Sequence, residues 1–237
     1  MENLSKKTVL ITGGSKGIGY GIAETLMRAN MRVAVTSRSQ KSADEAASRL
    51  QKLGTGEAMG VACDVRNFGS QQKCLEQLTG KWGSLDVLVA NAGIGHFGSI
   101  ETLTPEQWQE TIDTNLTGVF YSVKASLTAL KKTRGYIITI SSLAGTNFFA
   151  GGSAYNASKF GLVGFTQAMM LDVRQAGIKV TTIMPGSVAT YFNDHQPTEA
   201  DAWKIQPEDI GQMVEDLLRM HPRTLPSKIE VRPTMPR

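Results

Sequence analysis

The sequence predicts an α/β fold: a doubly wound, Rossmann-type parallel sheet of about seven strands flanked by helices, in a single domain. Three observations support this prediction. Short β-rich runs alternate with longer helical patterns along the 237 residues. A glycine-rich segment joins the first of these runs directly to the first helical pattern. Several later runs close on small polar residues, as strands of such sheets do where a ligand binds outside their carboxyl ends.

The elements follow one another without a linker or an internal repeat, so we expect one domain over residues 1–237. The predicted strands cover residues 8–11, 32–37, 59–62, 86–90, 136–140, 179–184 and 228–231. After a first helix that ends near Asn30, the predicted helices cover residues 41–53, 70–82, 104–132, 155–176 and 207–220. Thr104 and Pro105 mark one helix start, because a capping side chain is followed by proline at the first helical position.

The composition argues against several classes of protein. With 41% hydrophobic and 19% charged residues, the chain can bury one sizeable core. No apolar run reaches the ~18 residues that a membrane span needs, and the first residues lack the apolar core of a signal peptide. Cys63 and Cys74 are too few for a disulfide framework, so we expect free thiols and a cytoplasmic protein. The lack of a membrane-spanning apolar run also argues against a membrane as partner, and we do not expect a nucleic acid because the net charge of +4 forms no long basic stripe interleaved with aromatic residues.

The segment over residues 12–19 is typical of a phosphate-binding turn. Gly13, Gly17 and Gly19 permit a tight turn and close approach of the backbone to a pyrophosphate. The helix that follows offers free N–H groups and a partial positive charge. The spacing, Gly-x-x-x-Gly-x-Gly, departs from the more general dinucleotide fingerprint, so a glycine loop that binds nothing is the alternative at this point.

The end of the second predicted strand bears on the identity of the nucleotide. NAD-binding folds place a carboxylate about 20 residues beyond the glycine fingerprint, where it binds the ribose. Here that place holds Ser37 and Arg38. Lys16 and Arg38 flank the expected position of a 2′-phosphate, which predicts NADP (NADPH) as the cofactor. Two solvated surface cations are the simpler alternative.

Tyr155 and Lys159 stand four residues apart in a long predicted helix, so their side chains lie on one face. An ammonium group beside a phenol favours the phenolate and lowers the pKa of the phenol, which makes a proton donor that works near neutral pH. The same spacing also fits an ordinary contact on a helix surface. The interpretation as a site depends on the polar residues at the strand ends, which we expect to converge on the same cleft.

Histidines give weaker signals. His96 follows the Asn91 turn, where it either borders the substrate cleft or is a solvated loop residue. His195 and His221 lie apart from each other and from the cysteines, so we predict no metal site.

Six short motifs stand in a fixed order along the chain. They are Thr12-Gly13-x-x-x-Gly17-x-Gly19, Asn91-Ala92-Gly93, Asn115, Ser142, Tyr155-x-x-x-Lys159 and Pro185-Gly186-x-x-x-Thr190. Each is unspecific alone, whereas all six in this order are specific. On these motifs the sequence resembles the short-chain dehydrogenase/reductase family over nearly its whole length, most of all its 3-oxoacyl-(acyl-carrier-protein) reductases.

The resemblance implies a role for each residue. Tyr155 would be the general acid, Lys159 would lower its pKa and bind the nicotinamide ribose, and Ser142 would hold the substrate oxygen. Asn115 would anchor a water that relays protons to Lys159. Asp64 and Val65 would hold the adenine and Thr190 the carboxamide of the cofactor. The full set of implied cofactor contacts is Gly13, Ser15, Lys16, Gly17, Ile18, Gly19, Ser37, Arg38, Asp64, Val65, Asn91, Ala92, Gly93, Tyr155, Lys159, Pro185, Gly186, Val188 and Thr190.

The implied activity is the NADPH-dependent reduction of a carbonyl to an alcohol, with a 3-oxoacyl thioester or a small ketone as substrate; a broad ketone, sugar or pteridine reductase is the competing interpretation within this activity. The alternative is a dinucleotide-binding regulatory or scaffold protein that has kept the fold without catalysis. The complete set of Asn115, Ser142, Tyr155 and Lys159 argues against this alternative, since a silent protein has no chemical reason to keep all four.

Two segments depart from the family pattern. The last segment, residues 227–233, lacks the glycine-rich ending common in 3-oxoacyl reductases, and the substrate loop over residues 187–206 is short. We therefore expect an open, shallow cleft with modest specificity and a mobile loop, completed partly by Leu143, Phe148 and Phe149.

Two helices are also apolar on more than one face, over residues 116–127 and 160–173. A helix that is apolar all round is normally buried, so the faces turned away from the sheet need cover. Family relatives pair these two helices, which implies a homodimer or homotetramer.

Overall fold

The computed structural model describes residues 3–54 and 56–236 of the chain. Seven parallel strands form one sheet in the order β3-β2-β1-β4-β5-β6-β7. The strands are β1 (Thr8–Ile11), β2 (Arg32–Ser37), β3 (Glu57–Ala62), β4 (Val87–Ala90), β5 (Tyr136–Ile140), β6 (Lys179–Pro185) and β7 (Lys228–Val231). The predicted fold class is therefore confirmed.

Helices cover both faces of the sheet. Alternate residues of a strand point to opposite faces, so Val9 and Ile11 enter one hydrophobic cluster and Leu10 enters the other. The first cluster includes Leu26 and Val214, and the second includes Leu78 and Leu162. The helices are α1 (Gly17–Arg28), α2 (Gln40–Gln51), α3 (Phe68–Trp82), α4 (Pro105–Ile112), α5 (Gly118–Thr133), α6 (Ser153–Val173) and α7 (Pro207–Arg219).

Two helices begin one or two residues earlier than hydrophobic periodicity predicts, because a capping side chain sets each start. Ser39 accepts a hydrogen bond from the backbone N–H of Ser42, so α2 begins at Gln40 rather than at residue 41. Asn67 accepts one from the N–H of Ser70 at 2.8 Å, so α3 begins at Phe68 rather than at residue 70.

The helix predicted over residues 104–132 is continuous but not uniform. Thr104 and Gln107 form a capping box at its start. Between α4 and α5, residues Asp113–Thr117 form a π-helical turn, a feature found mostly at functional sites. Asn115 lies in this turn and is fully buried. The turn places Asn115 behind the loop that follows β4.

Within the described residues, no helix combines the length and the apolar character that crossing a membrane requires. Nor do any three His, Cys, Asp or Glu side chains in the described part of the chain form a group that could hold a metal ion. Cys63 and Cys74 are free thiols, and both are buried.

Candidate active site

A cleft of about 750 Å³ lies at the carboxyl ends of the strands. The strand order reverses between β1 and β4, and such a reversal opens a crevice between the loops that follow the two strands. Most of the residues expected at the site meet there. Those that line the cleft are Gly13, Ser15, Lys16, Gly17, Ile18, Arg38, Asp64, Val65, Asn91, Ala92, Gly93, Ser142, Tyr155, Lys159, Pro185, Gly186, Val188 and Thr190.

Three of the expected site residues lie outside the cleft lining. Ser37 ends β2, and Thr36 and Arg38 line the cleft instead, because side chains two apart on an extended segment share a face. Gly19 is buried in α1, where a Cβ would come within 2.5 Å of the Asn91 side-chain nitrogen. Asn115 is fully buried behind the cleft and does not line it.

The glycine turn is held against the loop after β4. The Asn91 side chain donates hydrogen bonds to the carbonyls of Thr12 and Gly13, at 2.9 and 3.1 Å. The Thr12 hydroxyl accepts hydrogen bonds from the backbone N–H groups of Asn91 and Ala92.

Gly13 and Gly17 have φ angles of 63° and 59°, which glycine adopts readily. A Cβ on Gly13 would also lie 2.9 Å from the Ala92 Cα. Two loops can therefore approach each other only because residue 13 is glycine.

This turn has the features of a dinucleotide cradle. The N-cap of α1, Lys16, makes no side-chain capping bond. Helix N-terminal N–H groups and the helix dipole favour a pyrophosphate at such a position. Lys16 and Arg38 are exposed and line the same end of the cleft. The positive charges of Lys16 and Arg38 favour the binding of an additional phosphate group at this end.

A chain of charged groups runs along the cleft from β3. Arg66 binds the Asp64 carboxylate through Nε and Nη2, at 3.0 and 2.8 Å, and this contact holds the pKa of Asp64 below its usual range. Arg66 also contacts Glu110 at 3.2 Å, and Glu110 contacts His96 Nε2 at 2.9 Å. His96 thus borders the cleft rather than lying free in a loop. No local sequence pattern indicates the contact of Arg66 with Glu110, because the two residues are 44 positions apart.

Tyr155 lies in the cleft wall beside Ser142. Burial raises the pKa of the Tyr155 phenol, and a hydrogen bond with the Ser142 side chain lowers it by less. The Lys159 Nζ lies 5.6 Å from the centre of the Tyr155 ring. The expected lowering of the Tyr155 pKa by Lys159 is therefore not the net effect in this structure. Desolvation of the phenol outweighs the favourable hydrogen bond.

Lys159 is buried in the floor of the cleft, with 5% of its surface exposed. Its Nζ donates a hydrogen bond to the Ile140 carbonyl at 3.1 Å. Desolvation lowers the pKa of Lys159 to about 8. A Cβ on Gly93 would lie 3.7 Å from this Nζ, so the loop after β4 closes over the ammonium group.

The Asn115 side chain joins this loop to α6. Its Nδ2 donates to the Ile94 carbonyl at 2.9 Å and to the Ser158 hydroxyl at 3.0 Å, and its Oδ1 accepts from the Ile94 N–H at 2.9 Å. Ser158 in turn donates to the Tyr155 carbonyl at 2.8 Å. The Asn115 side chain therefore ties the loop after β4 to the part of α6 that carries Tyr155 and Lys159.

Backbone hydrogen bonds join the two ends of the short loop over residues 187–206. Ala189 donates to the Ile205 carbonyl at 2.9 Å, and Ile205 donates to the Ser187 carbonyl at 3.1 Å. Further along, the buried Asp201 carboxylate contacts both His195 and Lys204. These contacts hold the pKa of Asp201 well below its usual range.

The residues that line the substrate end of the cleft differ from those predicted from the sequence. Leu143, Phe148 and Phe149 are not part of the lining, and Phe148 is 86% exposed. The loop after β4 and the short loop supply the wall instead, because both reach over the carboxyl ends of the strands. Their contributing residues are Gly95, His96, Tyr191, Phe192, Asn193 and His195.

Known proteins share both the sequence pattern and the fold. The FabG 3-oxoacyl-(acyl-carrier-protein) reductase of Vibrio cholerae is 37% identical over 201 residues, which cover 83% of this chain and 81% of that protein. The sepiapterin reductase of Chlorobaculum tepidum is 31% identical over 236 residues, 97% of each chain.

Solved structures agree with these relatives. An alcohol dehydrogenase of Thermococcus sibiricus, complexed with 5-hydroxy-NADP, matches with a TM-score of 0.93 at 28% identity, over 98% of this chain and 99% of its own. The family model described as short chain dehydrogenase matches residues 7–201. The chain therefore belongs to the short-chain dehydrogenase family, whose members bind a nicotinamide dinucleotide and act as oxidoreductases.

Proposed function

We propose that this protein is an NADP-dependent reductase that converts a carbonyl group to an alcohol with Tyr155 as general acid. The observation that carries the proposal is the Tyr155 phenol, which shares the cleft lining with Ser142 and lies next to the buried Lys159 at the floor of the cleft. Relatives named as 3-oxoacyl and sepiapterin reductases support a carbonyl substrate, either a 3-oxoacyl thioester or a small ketone.

Each residue contributes one part of the chemistry. A bound nicotinamide dinucleotide supplies the hydride. Tyr155 and Ser142 hold the carbonyl oxygen between their hydroxyl groups. The raised pKa of Tyr155 keeps the phenol protonated at neutral pH, so the donor is in its reactive form before the carbonyl oxygen gains charge. Lys159, while protonated, stabilises the phenolate that remains after the proton has moved.

Replacement of Tyr155 by phenylalanine tests the proposal most simply. Tyr155→Phe keeps the ring and removes the proton, so we expect kcat for carbonyl reduction to fall at least ~100-fold while NADPH binds as before. Steady-state kinetics and a fluorescence titration measure the two quantities. Tyr20→Phe, on α1 outside the cleft lining, is the matched control. Near-normal turnover of Tyr155→Phe would contradict the assignment of Tyr155 as general acid. Cofactor binding by the wild-type protein without turnover of any carbonyl would favour the regulatory alternative.

The cofactor preference follows from the exposed cations at the glycine-turn end. Arg38 also lies close enough to Asp64 to contribute to its lowered pKa, so the guanidinium faces the cleft. Charge-assisted hydrogen bonds contribute ~1.5–3 kcal/mol, which corresponds to a roughly tenfold to hundredfold preference for NADPH over NADH.

Arg38→Asp is expected to weaken NADPH binding by this factor and to leave NADH binding unchanged or improved, because the carboxylate repels a 2′-phosphate and accepts from a ribose hydroxyl. Fluorescence titration of both nucleotides measures the shift. Arg28→Asp makes the same change at an exposed arginine of α1 outside the cleft lining, and it should not alter the preference. Equal wild-type affinities for the two nucleotides would refute the preference.

We also propose that the protein is a homo-oligomer. Phe120 on α5 is 44% exposed, and Phe160 and Leu171 on α6 are 43% and 55% exposed. The two helices touch where the Phe120 ring lies 6.1 Å from the Phe165 ring, and large apolar side chains exposed on both of them are more stable when covered.

Light scattering at micromolar concentration should therefore give the mass of a dimer or a tetramer of the 25.6 kDa chain. Phe160→Glu should shift the mass towards one chain, because it places a charge in the covered face. Ile100→Glu, at a residue 76% exposed in the loop after β4, should leave the mass unchanged. A wild-type protein found as single chains would contradict the proposal.

A further inference from the structure

Four aromatic rings stand together at the substrate end of the cleft: Tyr155 and Phe192 belong to its lining, Phe97 packs against both of them, and Phe149 packs against Phe97. The Phe97 ring lies 5.3 Å from the Tyr155 ring, 6.3 Å from Phe192 and 6.0 Å from Phe149, measured between ring centres. Tyr155 and Phe192 are 5.8 Å apart. The rings meet at angles of 45–68°, which are tilted or edge-on arrangements. Three separate segments supply the phenylalanines: the loop after β4, the loop before α6 and the short loop over residues 187–206.

Glycines make this cluster possible. A Cβ on Gly95 would lie 2.8 Å from the ring tips of both Phe97 and Phe192, and a Cβ on Gly152 would lie 2.6 Å from Phe149. Two of the phenylalanines therefore converge over a residue that has no side chain. The rings are nonetheless not fully packed, since Phe97, Phe149 and Phe192 are 43%, 49% and 37% exposed. Part of each ring is left for another group to cover.

Two histidine side chains and one lysine side chain at this end of the cleft already have acidic partners. His96 contacts Glu110 at 2.9 Å, while His195 and Lys204 contact Asp201 at 2.7 and 2.6 Å. The exposed cations Lys16 and Arg38 line the opposite, glycine-turn end. The surroundings of Tyr155 therefore suit an uncharged aromatic group better than an anionic one.

We infer that the substrates of this site are uncharged ketones whose carbonyl carbon is attached to a flat aromatic or heteroaromatic ring. The inference rests on the proposed function, because it places the carbonyl at Tyr155. In the reduction the carbonyl carbon gains a hydride from the reduced nicotinamide, which is oxidised, and the carbonyl oxygen gains the Tyr155 proton. The product is a secondary alcohol. The ring of the ketone lies against Phe192 in the cleft wall and against the exposed part of Phe97 beside it, edge-on or offset as aromatic pairs prefer.

The test compares acetophenone with cyclohexyl methyl ketone, which share a carbon skeleton and differ in whether the ring is flat. The two ketones differ in intrinsic reactivity, so the measured quantity is the change in their kcat/KM ratio between variants. We expect Phe97→Leu and Phe192→Leu each to lower the ratio of acetophenone to cyclohexyl methyl ketone by roughly two- to tenfold, the worth of one aromatic pair. Leucine keeps an apolar contact, so kcat/KM for the saturated ketone should change less.

Phe148→Leu is the matched control. Phe148 is 86% exposed in the same loop as Phe149 but makes none of the ring contacts of this cluster, so the ratio should stay at its wild-type value. Thermal unfolding of each variant shows whether it is folded, and Phe192, in the short loop, offers a second site should Phe97→Leu be unstable.

An unchanged ratio in both leucine variants would overturn the inference. So would wild-type turnover of acetoacetyl thioesters with neither ketone reduced, although the proposed function would then stand. No turnover with any carbonyl compound would remove the proposed function as well, so the two failures are distinguishable.

Discussion

The hydrogen bond that holds the buried Lys159 ammonium group to the Ile140 carbonyl is the interaction on which the site depends. Burial of a cation costs free energy unless polar groups hold it. Here the Ile140 carbonyl accepts its hydrogen bond at 3.1 Å. Ile140 is the last residue of β5, a central strand of the sheet, so the sheet rather than a flexible loop fixes the ammonium position. Because burial lowers the Lys159 pKa to about 8, this lysine gives up its proton more readily than an exposed one.

The elements around Lys159 keep it in register with Tyr155. The π-helical turn between α4 and α5 presents the Asn115 side chain to Ile94 on one side and to Ser158, the residue before Lys159, on the other. A buried amide with its donors and acceptor all paired to protein groups tolerates little displacement. The loop after β4 and the start of α6 are therefore held as one unit, which keeps Lys159 and Tyr155 in a fixed relation to the cleft.

Much of this could be predicted from the sequence, and the omissions have physical reasons. The bounds of β1, β2, β5 and β7 follow from short β-rich runs, and the cleft follows from the carboxyl ends of parallel strands. The direction of the Tyr155 pKa shift could not be predicted, because residue spacing places a charge but does not report desolvation. The contact of Arg66 with Glu110 joins residues far apart in the chain, and no local pattern marks it. The cluster around Phe97 likewise depends on loop conformation, which periodicity does not determine.

The pH dependence of the chemical step tests the role of Lys159 most directly. In single turnovers of carbonyl reduction, Tyr155 stays protonated because its pKa is raised, whereas Lys159 loses its charge as the pH passes through about 8. Under the proposed mechanism the rate should therefore be constant below that pH and fall above it, because a neutral lysine would no longer stabilise the phenolate. Lys159→Met should be slower and should lack this fall. A wild-type rate that stays constant through about pH 8, or the same fall in Lys159→Met, would contradict the account.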